Sequence, residues 1–569
     1  MTRPKAASAR SSVISRLPVP AVSVAVAVAI TAMLLPRGRQ SYFYLVTQDQ
    51  WLILIGGLLL AVAALLPGRR DAAFSATWRL ALTVAAVMAV ATFVGHYLIL
   101  SGHDLSIDEK HANFDAAIFA RGQIAAPLPE LWYEHTRALN TMFMYPTDHR
   151  EAWVSGYLPG NAALRTLIGF VAAPELTGPL MTALALLVLW ACVRHIWPER
   201  REAPVVALLL FVGTGQVWLN GMTAYAMPAH LALNLCWLWL FLQRNWRADI
   251  GALLVGFVAV GLHQMHYHPL FAAPLLFLLV LERDWRRAAF FALGYLAIGA
   301  IWQSWSLLSA SAVVGGPLPI TDEKANYISR VWNNFLLLGD IRYPEMVANV
   351  IRMIAWEHIL LIPLFVIGIR AARRDRLAAA LLAGIVLTLI SRLVLQPVQG
   401  LGFGYRNTHG LIGNFILIAV YGWNSLRDDI GRWRMLLLRT TAASCLVLLP
   451  IQAWMGHRLY DASARISARI GQAGTDYAVV GAYDVPYSQD LATNPPYLDA
   501  RPIRLVRERV DPSLQSGICA AHASVAIVDS DVLQPLADHF RTKVDAAAAA
   551  KDRKIAESLS KAGCRVTFL

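Results

Sequence analysis

Apolar runs close to the roughly 20 residues that a helix needs to cross a bilayer recur along the whole chain, and this repetition restricts the fold more than any other feature. They fall at 18–35, 51–66, 79–100, 176–194, 203–219, 226–243, 250–267, 269–281, 288–307, 356–370, 377–395, 409–424 and 435–453. In lipid a backbone must satisfy its own hydrogen bonds, so such runs become helices. The chain is therefore predicted to be mainly α, a polytopic transmembrane helical bundle of about 13 spans. Composition agrees, with 57% hydrophobic and 15% charged residues, where a soluble domain carries roughly 25% charged.

Charge in the short loops sets the sidedness, because Lys and Arg collect on the cytoplasmic side. With the N-terminus (Arg3, Lys5, Arg10, Arg16) inside, the inside loops hold "PGRRD", "RHIWPERRE", "QRNWRAD", "ERDWRR", "RAARRDR" and "LRDDIGRWRMLLLR". Arg37 and Arg39 dissent by falling outside. The 250–281 stretch has a second reading, one tilted helix broken at Pro269, which bears on the parity of every later loop; the loop charges keep the break. The net charge of +13 then reads as topology and contact with anionic lipid, and no nucleic-acid-binding module is recognisable. The lack of any Asn-x-Ser/Thr site points to a bacterial envelope. The N-terminal run reads as an uncleaved first span.

This topology leaves three long outer segments, about 101–175, 308–355 and 457 to the end. The chain divides accordingly into a membrane domain, 1–456, and a soluble extracytoplasmic α/β domain, 457–569. In the latter, "DYAVVGAY" (476–483) and "SVAIVDS" (524–530) read as strands, followed by an alanine-rich helix and the terminal "CRVTFL". Cys192, Cys236 and Cys445 fall in spans and read as small buried hydrophobes. Cys519 and Cys564 both lie in the tail, bridged or free; a bridge would stabilise it by roughly 4 kcal/mol.

Charged groups beside the spans are the candidates for chemistry. "SIDEKHANFDAAIFARG" (106–122) opens with Ser106 and Glu109 in capping-box spacing. Ile107, Phe114 and Ile118 then share one helical stripe, while Asp108, His111 and Asp115 share a neighbouring face, so this helix is expected on the membrane surface with its apolar face down. Asp108 is favoured as an anion by the helix dipole whether or not it reacts. "GFGYRNTHG" (402–410) places Arg406 and His409 in an outer loop, where a guanidinium either holds a phosphate or snorkels. Arg392 lies in an apolar run and so requires a partner or a polar cavity. "GLHQMHYHPL" (261–270) sets His263, His266 and His268 at the outer end of two spans. Their spacing matches no zinc signature, which favours phosphate or sugar contact over a metal. Asp322, Glu323 and Lys324 read as a solvated helix start.

The order of features from Asp108 to the next span resembles the GT-C superfamily of membrane glycosyltransferases, in the branch related to protein O-mannosyltransferases and the lipid A aminoarabinose transferase. The matching positions are the acidic pair Asp108 and Glu109 on a surface helix, Gly122, and Tyr157 with Pro159 and Gly160 before the next span, and the likeness covers about 79–455. The turn with three histidines departs from the family pattern. The resemblance implies a GT-C-like bundle that transfers a sugar from a polyprenyl-phosphate donor on the outer face of the membrane. It assigns catalysis to the acidic pair, with Asp108 as general base. Arg406, His409, His263, His266, His268, Arg392 and Tyr157 become candidates for substrate contact. It implies no cofactor, since the lipid-linked sugar is itself the donor; no metal ligands are assigned, on the histidine spacing alone. The partners are membrane lipids, that donor, and a glycan, lipid or protein acceptor, in a bacterial inner membrane. A transporter or lipid flippase is the alternative, disfavoured by the lack of a visible inverted repeat and by the acid-bearing outer loop. A catalytically silent relative that assembles envelope enzymes is a further one.

Overall fold

The computed structural model describes residues 18–37, 39–145, 147, 149–316, 336, 339–426 and 428–569. The basic residues Arg3 to Arg16 and the run Asp322–Lys324 lie outside the described residues.

Each apolar run is helical. Helices α1 (Pro18–Leu34), α2 (Gln40–Leu65) and α3 (Trp78–Leu98) precede the first long loop. That loop holds α4 (Ile107–Ala120), a short antiparallel ladder of β1 (Ala126–Pro127) with β2 (Ala152–Trp153), and α5 (Gly160–Gly169). The bundle continues through α6 (Thr177–Ile196), α7 (Ala203–Val212), α8 (Gly215–Gly221), α9 (Met227–Leu242), α10 (Trp246–Val260), α11 (Tyr267–Leu281) and α12 (Trp285–Val314). After the undescribed stretch come α13 (Arg342–Trp356), α14 (Leu361–Gly368), α15 (Arg376–Leu395), α16 (Ile412–Ser425) and the long α17 (Ile430–Gly471).

Among the described residues six helices are long and apolar enough to cross a membrane. The count is eight if each bent pair is one span: α7 with α8, bent by 61°, and α13 with the helical segment to Arg373, bent by 113°. Helices α9 and α11 are apolar but shorter. Apolar runs and straight full-length spans therefore do not correspond one to one, because several helices break where a polar interior receives their ends. The break in 250–281 is the turn 261–266, and Pro269 sits in the first turn of α11, where its missing N–H removes no helical hydrogen bond.

Lipid explains the surface of the long helices. Val87, Val90, Leu98, Leu293, Leu296 and Ile390 are all exposed, as apolar side chains are when hydrocarbon is the solvent. Inside, α14 meets α16 at backbone contact: a Cβ on Gly368 would lie 1.9 Å from the Ile418 carbonyl oxygen, and one on Gly422 would lie 2.1 Å from that of Leu364. Small residues at such crossings are what lets helices approach without a hydrophobic drive.

The polar loops sort to two ends. At one, Arg434 pairs with Glu202 at 2.7 Å and donates to the Asp71 carbonyl, Arg439 donates to the Leu66 and Pro67 carbonyls, Arg244 pairs with Glu282, and Arg287 pairs with Asp249 at 2.7 Å. These contacts join loops that the charge pattern assigns to one side. At the other end meet the 101–175 loop, the turn 261–266, the 396–405 loop and the tail.

Helix α17 runs through residue 457 to Gly471 before the first tail strand. The tail is an α/β unit whose four parallel strands lie in the order β4 (Ile503–Val506), β3 (Tyr477–Val480), β5 (Ser524–Ile527), β6 (Arg565–Phe568). Cys519 and Cys564 are joined by a disulfide. One face of this sheet shares a core with the first long loop: Val479, Leu505, Val525 and Ile527 pack with Phe114, Ile118, Trp132 and Trp153. The apolar stripe of α4 is therefore covered by protein and not laid on lipid, a correction to the sequence expectation. The sheet's alternating side chains supply an apolar face that α4 alone could not anticipate.

Candidate active site

Helix α4 carries the acids, and its start fixes their directions. The capping box of Ser106 and Glu109 is complete, and Glu109 Oε2 lies 3.2 Å from the backbone nitrogens of both Leu105 and Ser106. Tyr460, on α17, donates its hydroxyl to Glu109 at 2.9 Å. Glu109 is thereby turned into the protein. Burial, helped by nearby Asp104, pushes its carboxyl up to about 8 against these hydrogen bonds.

Asp108, one residue earlier, faces elsewhere. Its Oδ2 lies 2.7 Å from Nη1 of Arg406, and its Oδ1 accepts a hydrogen bond from the Tyr157 hydroxyl. Burial raises the Asp108 carboxyl, but Arg406, His263 and the Tyr157 hydroxyl together outweigh it and hold the group below the usual carboxylate range. Tyr157 lies against His263 in a tilted arrangement, with ring centroids 4.3 Å apart. Burial first, and the Asp108 charge second, push the Tyr157 hydroxyl up, so it stays a donor.

Arg406 reaches Asp108 because its loop is held from below. Gln399 receives the Arg406 backbone N–H at 3.2 Å and donates to the Gly404 carbonyl at 2.9 Å. Arg352 of α13 donates to the Gly402 carbonyl at 2.7 Å and the Gly404 carbonyl at 3.0 Å. The same guanidinium pairs with Asp49 at 2.9 Å and lies over the Tyr44 ring at 3.7 Å, while the Trp356 indole donates to Asp49 at 2.9 Å. Gly402 adopts φ +151°, and a Cβ there would come within 3.2 Å of the Arg406 side chain. Tyr225 lies under the Arg406 guanidinium at 5.2 Å and donates to the Leu401 carbonyl at 2.9 Å.

The remaining predicted residues separate into two groups. His266 contacts Arg392, whose guanidinium also lies over Tyr267 at 4.9 Å, so the buried Arg392 has an imidazole and an aromatic face as neighbours. Tyr267 donates to Asn407 at 2.8 Å and links this pair to the Arg406 loop. His268 and His409 sit deeper. His268 is fully buried between Asn234 (2.8 Å) and the Tyr295 hydroxyl (2.7 Å), and His409 packs 3.3 Å from the Gln216 amide. A cavity opens beside Arg406 and His263, lined also by Met227, His230, Asn234, Tyr267, Thr388 and Asn407. Asp108, Tyr157, His263 and Arg406 thus converge, Arg392 and His266 flank them, and Glu109, His268 and His409 do not reach them. Among the described residues no group of His, Cys, Asp and Glu is arranged to hold a metal ion.

Sequence reasoning missed the supports. Asp49, at the head of an apolar run, was the legible trace of the Arg352 clamp, since a lone acid there needs a cation. The tail's share had no sequence signal. Asp490 offers its carbonyl to Lys110, the amides of Gln489 and Asn140 meet at 2.8 Å, and the Trp153 indole donates to the Pro496 carbonyl at 2.6 Å.

No family model matches the chain, and no curated protein matches it. Among solved structures it is similar to the crystal structure of ArnT from Cupriavidus metallidurans bound to undecaprenyl phosphate, at 13% identity and a TM-score of 0.48, over 86% of this chain and 90% of that one. It is likewise similar to the apo state of ArnT from Cupriavidus metallidurans, at 13% identity and a TM-score of 0.44, over 74% of this chain and 84% of that one. At these values the likeness concerns the course of the chain, and the site is read from its own geometry.

Proposed function

We propose that this chain is an inverting membrane glycosyltransferase of the GT-C type, which moves a sugar from a polyprenyl-phosphate donor to an acceptor hydroxyl. The observation that supports this reading is the Asp108–Arg406 pair, a carboxylate and a guanidinium 2.7 Å apart, with that guanidinium lining a cavity at one end of an apolar bundle. In the proposed reaction the acceptor oxygen bonds to the anomeric carbon while its proton passes to Asp108. The bond from that carbon to the phosphate oxygen breaks on the opposite face, and the electron pair leaves with the lipid phosphate. That leaving group is already a stable anion, so no second carboxyl acid is required, and Glu109 serves as a positioning residue. A guanidinium can form a bidentate pair with a phosphate, and Arg406 now meets Asp108 through Nη1. On this reading Arg406 turns toward the donor phosphate, and Asp108, freed of its cation, becomes the stronger base. On this reading the site end faces the outer side, which the basic loops at the opposite end support.

The test is transfer from polyprenyl-phosphate hexoses and pentoses by the purified protein. Wild type should transfer, and Asp108→Asn should lose roughly 100-fold or more in kcat, the range typical of a general base. A transporter or an assembly factor would transfer with neither. Unchanged turnover in Asp108→Asn would remove the base.

A further inference from the structure

The cavity beside Arg406 contains an imidazole with no hydrogen-bond partner among the described residues. His230 stands in the first turn of α9, is 6% exposed, and has neither Nδ1 nor Nε2 hydrogen-bonded. Its ring lies 5.2 Å from that of Tyr267, at the cavity wall. The polar neighbours are already engaged. Asn234 donates to the Gly410 carbonyl at 2.9 Å and meets His268 at 2.8 Å, Asn407 accepts from Tyr267, and Arg406 holds Asp108. Gly410 lets its loop pack closely on α9, since a Cβ there would come within 3.2 Å of the His230 Cβ and of the Asn234 amide.

Two unmet buried polar atoms are unfavourable unless a guest supplies partners. A neutral imidazole offers one N–H donor and one acceptor nitrogen, and a hydroxyl, of water or of a bound sugar, answers both. A phosphate oxygen accepts only, and on the transfer reading it is met by the one formal charge among the lining residues, Arg406, once that guanidinium turns from Asp108. We propose that His230 is a specificity-determining residue that hydrogen-bonds ring hydroxyls of the transferred sugar, while Arg406 takes the phosphate to which that sugar is attached. The inference rests on the glycosyl-transfer reading above and goes beyond it by dividing the donor between two walls of one cavity.

The experiment compares binding of bare polyprenyl phosphate and of polyprenyl-phosphate hexoses to the full chain in lipid nanodiscs, for wild type, His230→Phe and His230→Gln. Wild type should prefer one hexose-bearing lipid over the bare lipid phosphate by roughly tenfold, as a site built for hydroxyls does. His230→Phe should abolish that preference and raise KM for transfer, while bare lipid phosphate binds within about twofold of wild type, which also reports a folded site. His230→Gln, which keeps a donor and an acceptor, should restore part of the preference. A monodeoxy donor lacking the contacted hydroxyl should bind wild type and His230→Phe alike. Equal weakening of both lipids by His230→Phe, or an undiminished preference, would overturn the proposal while leaving the transfer reading intact. Wild type that neither prefers nor transfers from any sugar lipid would overturn both.

Discussion

The Arg352 clamp gives the most direct link from packing to activity. Arg352→Met removes the pair with Asp49 and the bonds to the Gly402 and Gly404 carbonyls, all between 2.7 and 3.0 Å. Each hydrogen bond from a charged group contributes about 1.5–3 kcal/mol net, and breaking a buried pair by deleting one partner costs about 3–5 kcal/mol in all. Because Asp49 would keep only the Trp356 indole as a side-chain partner among the described residues, we expect a loss of stability near that 3–5 kcal/mol range. The loss of two carbonyl anchors should also release the loop that presents Arg406, lowering kcat/KM beyond what unfolding explains. The assay is residual folded fraction after graded heating in detergent, read by size exclusion, with transfer kinetics measured well below the midpoint. Arg287→Met is the control, since Arg287 and Asp249 also form a buried pair, at 2.7 Å, at the opposite end; it should lose comparable stability and leave transfer unchanged. Asp49→Leu with Arg352→Met should recover stability, as replacing both partners of a buried pair often does, yet still transfer poorly. Arg352→Met with stability within about 1 kcal/mol of wild type, or with normal transfer, would refute the reasoning.

Further outcomes follow from the outer loop and tail. Glu109→Gln should keep most activity where Asp108→Asn does not, because its side chain caps α4 and meets Tyr460 and not Arg406; a kinetic comparison of the two variants checks this. Burial pushes Asp115 up to about 7, against its hydrogen bonds from Ser155, and Glu109 to about 8. Both folded values lie above the ordinary carboxyl values, so the folded chain holds protons that the unfolded chain has released. Their stabilising contribution is then fully present below about pH 4 and is lost as pH rises through 7 to 8. Thermal midpoints should fall across that window, and Asp115→Asn should flatten the dependence; an unchanged slope would contradict the assignment. Reduction of the Cys519–Cys564 disulfide, which closes a separation of 45 residues, should destabilise the tail by about 4 kcal/mol, seen as a lowered tail transition with reductant and its absence in Cys519→Ser.

Much of the molecule was legible in the sequence because its determinants are local. The apolar runs dictate helices wherever lipid is the solvent, the box of Ser106 and Glu109 starts α4, and the basic loops sort to a common end. The likeness of the Asp108 region to a known family was also present in the order of its residues. Tertiary structure decided what a linear pattern does not encode. Asp108 and Glu109 are adjacent in the chain, yet helical geometry turns one to Arg406, 298 positions away, and the other to Tyr460. His263 and His268 look equivalent in one short motif, but a turn delivers the first to Tyr157 while the following helix carries the second into the core. The Asp49–Arg352 clamp and the shared core of the tail with α4 join segments hundreds of residues apart, and burial drives their pairing only once the bundle has closed around them.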